Sequence, residues 1–128
     1  MQYIALFLTL SLVIGCSPKI YEKVDDPALF AGCSTTDCHE RKVAEFVHKH
    51  RKFPKEMLEA GMEGVAVIRF KVSKDGQLSD FTIKNDPGHG MGAEALRIVQ
   101  QMPRWIPAKV KEQAVDSMGE VKVPFYFE

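Results

Sequence analysis

This chain of 128 residues has little of what marks most functional classes. Its 17 basic and 17 acidic residues cancel, and no basic stripe is interleaved with aromatics. A nucleic-acid interface would therefore lack its electrostatic footprint. There is no Pro-rich or Gly/Ser-rich spacer, no internal repeat and no low-complexity run. His89 has no identifiable nucleophile partner, and Asp75, Asp80 and Asp86 read as turn and outer-face residues. Nothing meets the nucleophile, base and orienting-group test, so neither an enzyme nor a cofactor is expected. The glycine-rich loop Gly88-His89-Gly90-Met91-Gly92 lacks a following Lys-Ser/Thr and comes after a hairpin strand rather than opening a βαβ unit. It reads as a permissive connection, not a phosphate cradle.

Also missing is an apolar run of the ~20 residues that a membrane helix needs. The stretch from Ile4 to Gly15 is apolar apart from Thr9 and Ser11, about a dozen residues, which suits the core of an export signal. Val13-Ile14-Gly15-Cys16 resembles a bacterial lipobox. On that resemblance residues 1–15 are removed, and Cys16 takes the lipid and becomes the mature N-terminus. No Lys or Arg precedes the apolar core, so an ordinary cleaved signal or a short uncleaved anchor is the competing reading. Export to an oxidising compartment changes how the other two cysteines read. With Cys16 lipidated, a Cys33–Cys38 disulfide is the default, and the turn formers in GCSTTDC allow it. The alternatives are a metal site with His39, His48 and His50, and a reactive thiol at Cys38. His48 and His50 are two apart on a helix and do not face each other, and no base is placed for the thiol.

Residues 16–29 read as a lipidated cysteine and a short polar tether, at most ~45 Å long. Residues 30–128 make one small domain. Asp37 with Glu40 three residues on predicts a helix start, and Val43, Phe46, Val47 and His50 give its apolar stripe. His50 on that stripe reads as a packed boundary histidine. The helix fades before Phe53-Pro54, and Lys55 to Ala60 make a short turn ended by Gly61. Ala66, Ile68, Phe70 and Val72 alternate as one buried face of a strand, with Lys74-Asp75-Gly76 as the turn after it. The next strand, about Leu78 to Asn85, breaks parity between Leu78 and Phe81, which predicts a bulge. Ala95, Ile98, Val99 and Met102 form the stripe of a second main helix, ended by Pro103. Val121, Val123, Phe125 and Phe127 then alternate with Glu120, Lys122, Pro124 and Tyr126 as a last strand. The fold class is α+β, in the order α-β-β-α-β: a small antiparallel three-stranded sheet packed against two helices.

Several of these signposts resemble the TonB C-terminal domain in its Bacteroidetes-type form. They are Phe53-Pro54, Gly61-Met62-Glu63-Gly64, Phe70 to Gly76, Glu94-Ala95-Leu96-Arg97, Met102-Pro103-Arg104-Trp105-Ile106-Pro107 and Val123 to Phe127. Together they cover residues 53–127 in the family's order. The resemblance implies binding of an extended segment of an outer-membrane TonB-dependent receptor, or of another envelope protein, by strand addition. The edge strand would be Val121, Lys122, Val123, Pro124, Phe125, Tyr126 and Phe127. Pro124 supports this independently, because proline is tolerated in a strand only at an edge or bulge. By strand parity a partner would find donors at Lys122 and Tyr126. Trp105 reads as an apolar plug, and Glu94 and Arg97 as a solvated helix face. The family's transducers carry a membrane helix and a long spacer that this sequence lacks, so gripping carries over more readily than energy transduction. The expected location is the cell envelope, lipid-anchored and facing the periplasm. The alternative reading is a structural envelope lipoprotein that binds cell wall or self-associates as a homodimer. No metal is expected.

Overall fold

A computed structural model describes residues 19–127, so Cys16 and the apolar N-terminus lie outside the described residues. The elements run α1 (Thr36–His50), α2 (Lys55–Ala60), β1 (Gly64–Val72), β2 (Leu78–Asn85), α3 (Met91–Gln100), β3 (Ala108–Val110), β4 (Gln113–Val115) and β5 (Ser117–Phe125). The main sheet is antiparallel in the order β2-β1-β5, and β3 and β4 form a separate hairpin. No described helix is long and apolar enough to cross a membrane.

The core follows from the alternation in β1. Ala66, Ile68, Phe70 and Val72 are fully buried on one face, opposite Val123, Val121, Gly119 and Ser117 of β5. Above them lie Met91, Ala95, Ile98 and Val99 of α3, also fully buried. Burying each of the larger side chains contributes roughly 1.5–3 kcal/mol. The β1–β2 turn is fixed by Gly76, whose φ of 85° and close approach to Trp105 leave no room for a side chain. A Cβ there would run into the Trp105 carbonyl, and Trp105 N–H donates to the Gly76 carbonyl at 2.8 Å. Trp105 is the expected plug, its ring edge-on to Phe70 at 5.1 Å and to His39 at 4.8 Å. The expected bulge is present: Arg69 faces Thr82 and Lys71 faces Ser79, with Asp80 at φ 53°.

Four features differ from the sequence reading. The cap of α1 is Thr35, whose hydroxyl accepts from Cys38 N–H at 3.2 Å, in place of Asp37. Both residue types cap well, and the helix starts two residues earlier. Residues 108–115 form a hairpin whose turn residues Lys111 and Glu112 have φ of 51° and 66°, without the glycine or asparagine that advertises such a turn. β5 begins at Ser117, four residues earlier than its bulky alternation, and ends at Phe125, leaving Tyr126 and Phe127 beyond it. Gly119 and Ser117 are its first inward residues. A Cβ on Gly119 would sit 2.7 Å from the Phe70 ring, so large side chains are excluded where the pattern would need them.

The fourth difference concerns the tether. Residues 21–29 lie along the domain by backbone hydrogen bonds. Tyr21 N–H donates to Asp116 at 3.0 Å, Asp25 and Asp26 N–H to Lys109 at 2.9 and 3.1 Å, and Leu29 and Ile106 bond each other in both directions. Lys111 N–H donates to the Asp25 carboxylate at 2.7 Å. These partners belong to irregular or short segments, so the segment carries no periodicity of its own.

Candidate functional site at the free edge of the last strand

β5 is paired with β1 along all nine of its residues, from Ser117 opposite Val72 to Phe125 opposite Gly64. Among the described residues, its other side bonds no strand except at one parallel bridge, Tyr21 with Ser117. Two contacts fix which backbone groups face outward. Arg51 Nη1 donates to the Pro124 carbonyl at 2.7 Å, and Tyr21 N–H reaches the Asp116 carbonyl. In an antiparallel strand the N–H and C=O of one residue point to the same side, and the side alternates. Even-numbered residues therefore face the free edge. Tyr21 closes one end of it and Arg51 the other, leaving Met118, Glu120 and Lys122 as three consecutive ladder positions.

Pro124 fits this frame. Its missing N–H points outward, so the β1 ladder loses nothing. The expected donor pair of Lys122 and Tyr126 is corrected accordingly: Lys122 is retained, Tyr126 lies past the strand, and Glu120 and Met118 complete the set. Val121, Val123 and Phe125 face the core with their side chains and β1 with their backbone, so they hold the edge in place and offer a partner no ladder position. Phe127 N–H is held by Glu63 at 2.5 Å.

A groove of about 820 Å³ runs between this edge and α1. That is within the range of about 300–1,000 Å³ usual for ligand sites. One wall is the α1 face of His39, Glu40, Val43, Ala44, Val47, His48 and Arg51; the other is Val65, Glu120, Val121, Lys122 and Pro124. Past Arg51 the groove meets a smaller depression lined by Phe53, Leu58, Tyr126 and Phe127. Leu58 and Tyr126 are each 52% exposed, so this end is an uncovered apolar patch. The helical wall was not foreseen. Of the expected stripe, Val43 and Val47 line this wall, while Phe46 and His50 lie on a different side of α1, where the two rings stack at 4.0 Å. The legible signal was the i, i+3, i+4 series Glu40, Val43, Ala44, Val47 and His48.

α1 is anchored at both ends. At its start the Cys33–Cys38 disulfide joins it to the preceding loop, with Cα atoms 5.5 Å apart. His39 Nδ1 accepts from Phe30 N–H at 2.8 Å, which requires a neutral ring with its proton on Nε2. Burial lowers the His39 pKa below 6.5, and the nearby Glu40 charge only partly restores it. At the other end Glu94 and Arg97 form a staple where a solvated face was expected. Arg97 bonds Glu94 at 2.6 Å and the His50 carbonyl at 2.8 Å, and Glu94 accepts from Lys52 N–H at 2.6 Å. Burial alone would raise the Glu94 pKa, but the Arg97 and Lys52 hydrogen bonds and charges outweigh it, and the carboxyl is held below 4.5.

The other candidates do not converge. His48 is exposed while His50 is stacked on Phe46, and no cluster of three or more potential metal ligands occurs among the described residues. In the glycine-rich loop, the Asp86 carboxylate itself takes the N–H groups of Gly88 and Gly92 at 2.8 and 3.1 Å. That leaves no anion site at the start of α3.

Among known proteins, no curated one matches the chain. Two solution structures of the Helicobacter pylori TonB C-terminal domain are similar at 16% identity and a TM-score of 0.49. For residues 194–285 the match covers 68% of this chain and 91% of that one; for residues 179–285 it covers 77% and 89%. The family model for the C-terminal region of the Gram-negative bacterial TonB protein matches residues 49–128. With that match over most of its length, the chain belongs to the TonB C-terminal domain family, whose members are not enzymes.

Proposed function

We propose that this protein is an envelope lipoprotein whose domain grips an extended segment of an outer-membrane TonB-dependent receptor. The observation that carries the reading is the free edge of β5. Met118, Glu120 and Lys122 are three consecutive outward positions, Glu120 and Lys122 line a groove walled by α1, and Tyr21 and Arg51 stop the ladder at either end. A strand added there would gain backbone hydrogen bonds from the edge and side-chain contacts from the groove. Family membership supports an envelope location and a receptor as the partner. Lipidation at Cys16 rests on the Val13-Ile14-Gly15-Cys16 motif. With residues 21–29 laid along the domain, the stretch from Cys16 to Tyr21 spans at most about 17 Å, so the lipid would hold the domain close to its membrane.

Titration calorimetry with TonB-box peptides tests the gripping function. Binding with amide shifts confined to Met118–Lys122 and the facing side of α1 is expected; no binding refutes it. Radiolabelled palmitate tests the anchor: incorporation should be lost in Cys16→Ala, and an unlabelled wild type would refute lipidation alone.

A further inference from the structure

We infer that residues 21–29 are a releasable strap, which gives the domain two distances from the membrane that holds it. Docked, the strap leaves at most about 17 Å of chain between Cys16 and Tyr21; released back to Leu29, it allows about 45 Å. The inference rests on the reading of Cys16 as the lipidated residue and is independent of what the β5 edge binds.

The strap is held by hydrogen bonds at three points and by little else. Tyr21 has one bond, from its N–H to the Asp116 carbonyl at 3.0 Å. Asp25 and Asp26 make a clasp. Both donate their N–H groups to the Lys109 carbonyl, Lys109 N–H returns a bond to the Asp26 carbonyl at 2.9 Å, and the Asp25 carboxylate accepts from Lys111 N–H at 2.7 Å. Leu29 and Ile106 close the row with a bond in each direction. No residue from Lys19 to Leu29 is buried. The change at Phe30 is abrupt: its side chain is buried, its N–H is held by His39 at 2.8 Å, and the Cys33–Cys38 disulfide follows. The fixed domain therefore begins at residue 30.

Ordering a stretch of chain costs backbone entropy, which burial of apolar side chains normally offsets. The strap has mainly bonds that water would also supply, and these contribute little net stability. Its docked and released states thus lie close in free energy, at the low-stability end of the molecule. The β3–β4 hairpin beneath it is similar. Within residues 108–115 only Ala108 is buried, and Lys111 and Glu112 both turn at positive φ. The Asp25 carboxylate occupies the Lys111 N–H in that turn, so the clasp and the hairpin tip should loosen as one unit. The order of attachment sets the order of release. Coming from Cys16 the chain meets the single bond of Tyr21 first, then the clasp, then Leu29. A pull through the lipid acts on the weakest point before the strong ones.

Amide hydrogen exchange read by NMR on the full chain in detergent tests the release. The amides of Tyr21, Asp25, Asp26, Lys109 and Lys111 should be protected about ten- to a thousandfold relative to free chain, and at least about a hundredfold less than Ile68 and Val121 in the β1–β5 ladder. Asp25→Ala should cut the protection of Asp26, Lys109 and Lys111 together, by at least about fivefold, and leave Val121 unchanged. Lys23→Gln, on an exposed part of the strap, should change none of them. Strap amides as slow as Val121 would show a fixed part of the domain, and unprotected ones a segment that never docks; either overturns the inference. Trp105, the only tryptophan, reads the distance as donor to a dansyl-labelled lipid in phosphatidylethanolamine and phosphatidylglycerol vesicles carrying the lipidated protein. Energy transfer should be lower for Asp25→Ala than for wild type, and equal transfer would overturn the two distances. A wild type that does not stay on the vesicles would refute the lipid anchor, and the two distances with it, while exchange still decides whether the strap releases.

Discussion

Two proline substitutions one residue apart should have opposite consequences. Glu120→Pro removes an N–H that points to the free edge, while Val121→Pro removes one that points to β1. In Val121→Pro a ladder bond worth about 1 kcal/mol is lost and the Ile68 carbonyl opposite is orphaned in the core, at about 1–3 kcal/mol. Disturbed packing of a side chain only 2% exposed adds about 1 kcal/mol. The sum is about 3–5 kcal/mol, which lowers Tm by at least about 12 °C in a domain of this size. Glu120→Pro loses only the exposed pair with Lys84 and some backbone freedom, about 1 kcal/mol or less. Glu120→Gln is the control for the ion pair. Calorimetric unfolding should separate the variants clearly, and binding of a TonB-box peptide should fall at least about tenfold in folded Glu120→Pro, because a central donor is replaced by a ring. Equal destabilisation by both prolines would refute the assignment of outward groups. Unchanged binding by Glu120→Pro would refute the edge as the site.

The anchoring of α1 and the packing of the core lead to three further outcomes. The His39 pKa is lowered by burial, so the folded state resists a proton that the unfolded chain takes up near pH 6.5. Stability should be full above that value and decline as pH falls from it towards the lowered pKa; His39→Gln should flatten this part of a denaturant-midpoint profile, and an unchanged profile would count against the neutral ring. Reduction of the Cys33–Cys38 disulfide, or Cys33→Ser with Cys38→Ser, should cost about 2 kcal/mol for so short a loop, read by urea denaturation with and without reductant. Gly76→Ala should cost about 3 kcal/mol through positive φ and collision with the Trp105 carbonyl, and a loss below about 1 kcal/mol by the same assay would contradict that contact.

The fold was legible where one residue face repeats. The alternation of Ala66 to Val72 and of Val121 to Phe125, and the parity break before Phe81, mapped directly onto β1, β5 and the bulge. It was less legible where tertiary space reverses local preference. Gly119 is small because Phe70 fills its place, and that concealed the start of β5. Glu94 and Arg97 look like a solvent-side pair at i, i+3; only the fold brings Lys52 N–H and the His50 carbonyl to them. The candidate site was half legible. Pro124 marked the edge, but which residues present donors depended on Arg51 and Tyr21, which are far from β5 in sequence and donate to backbone carbonyls that leave no pattern.

The bulges in β2 bear on how many partners the sheet can hold. Its register slips twice, between Val67 and Ile68 and between Arg69 and Lys71, and Asp80 turns its backbone to positive φ. That outer rim is too uneven to template another chain. Of the two rims only β5 offers a regular one, and a strand seated there has α1 on its far side. On the proposed reading the sheet therefore has room for a fourth strand and none for a fifth: occupancy would end at one, because the helix that shapes the groove would also cover the outer side of the added strand.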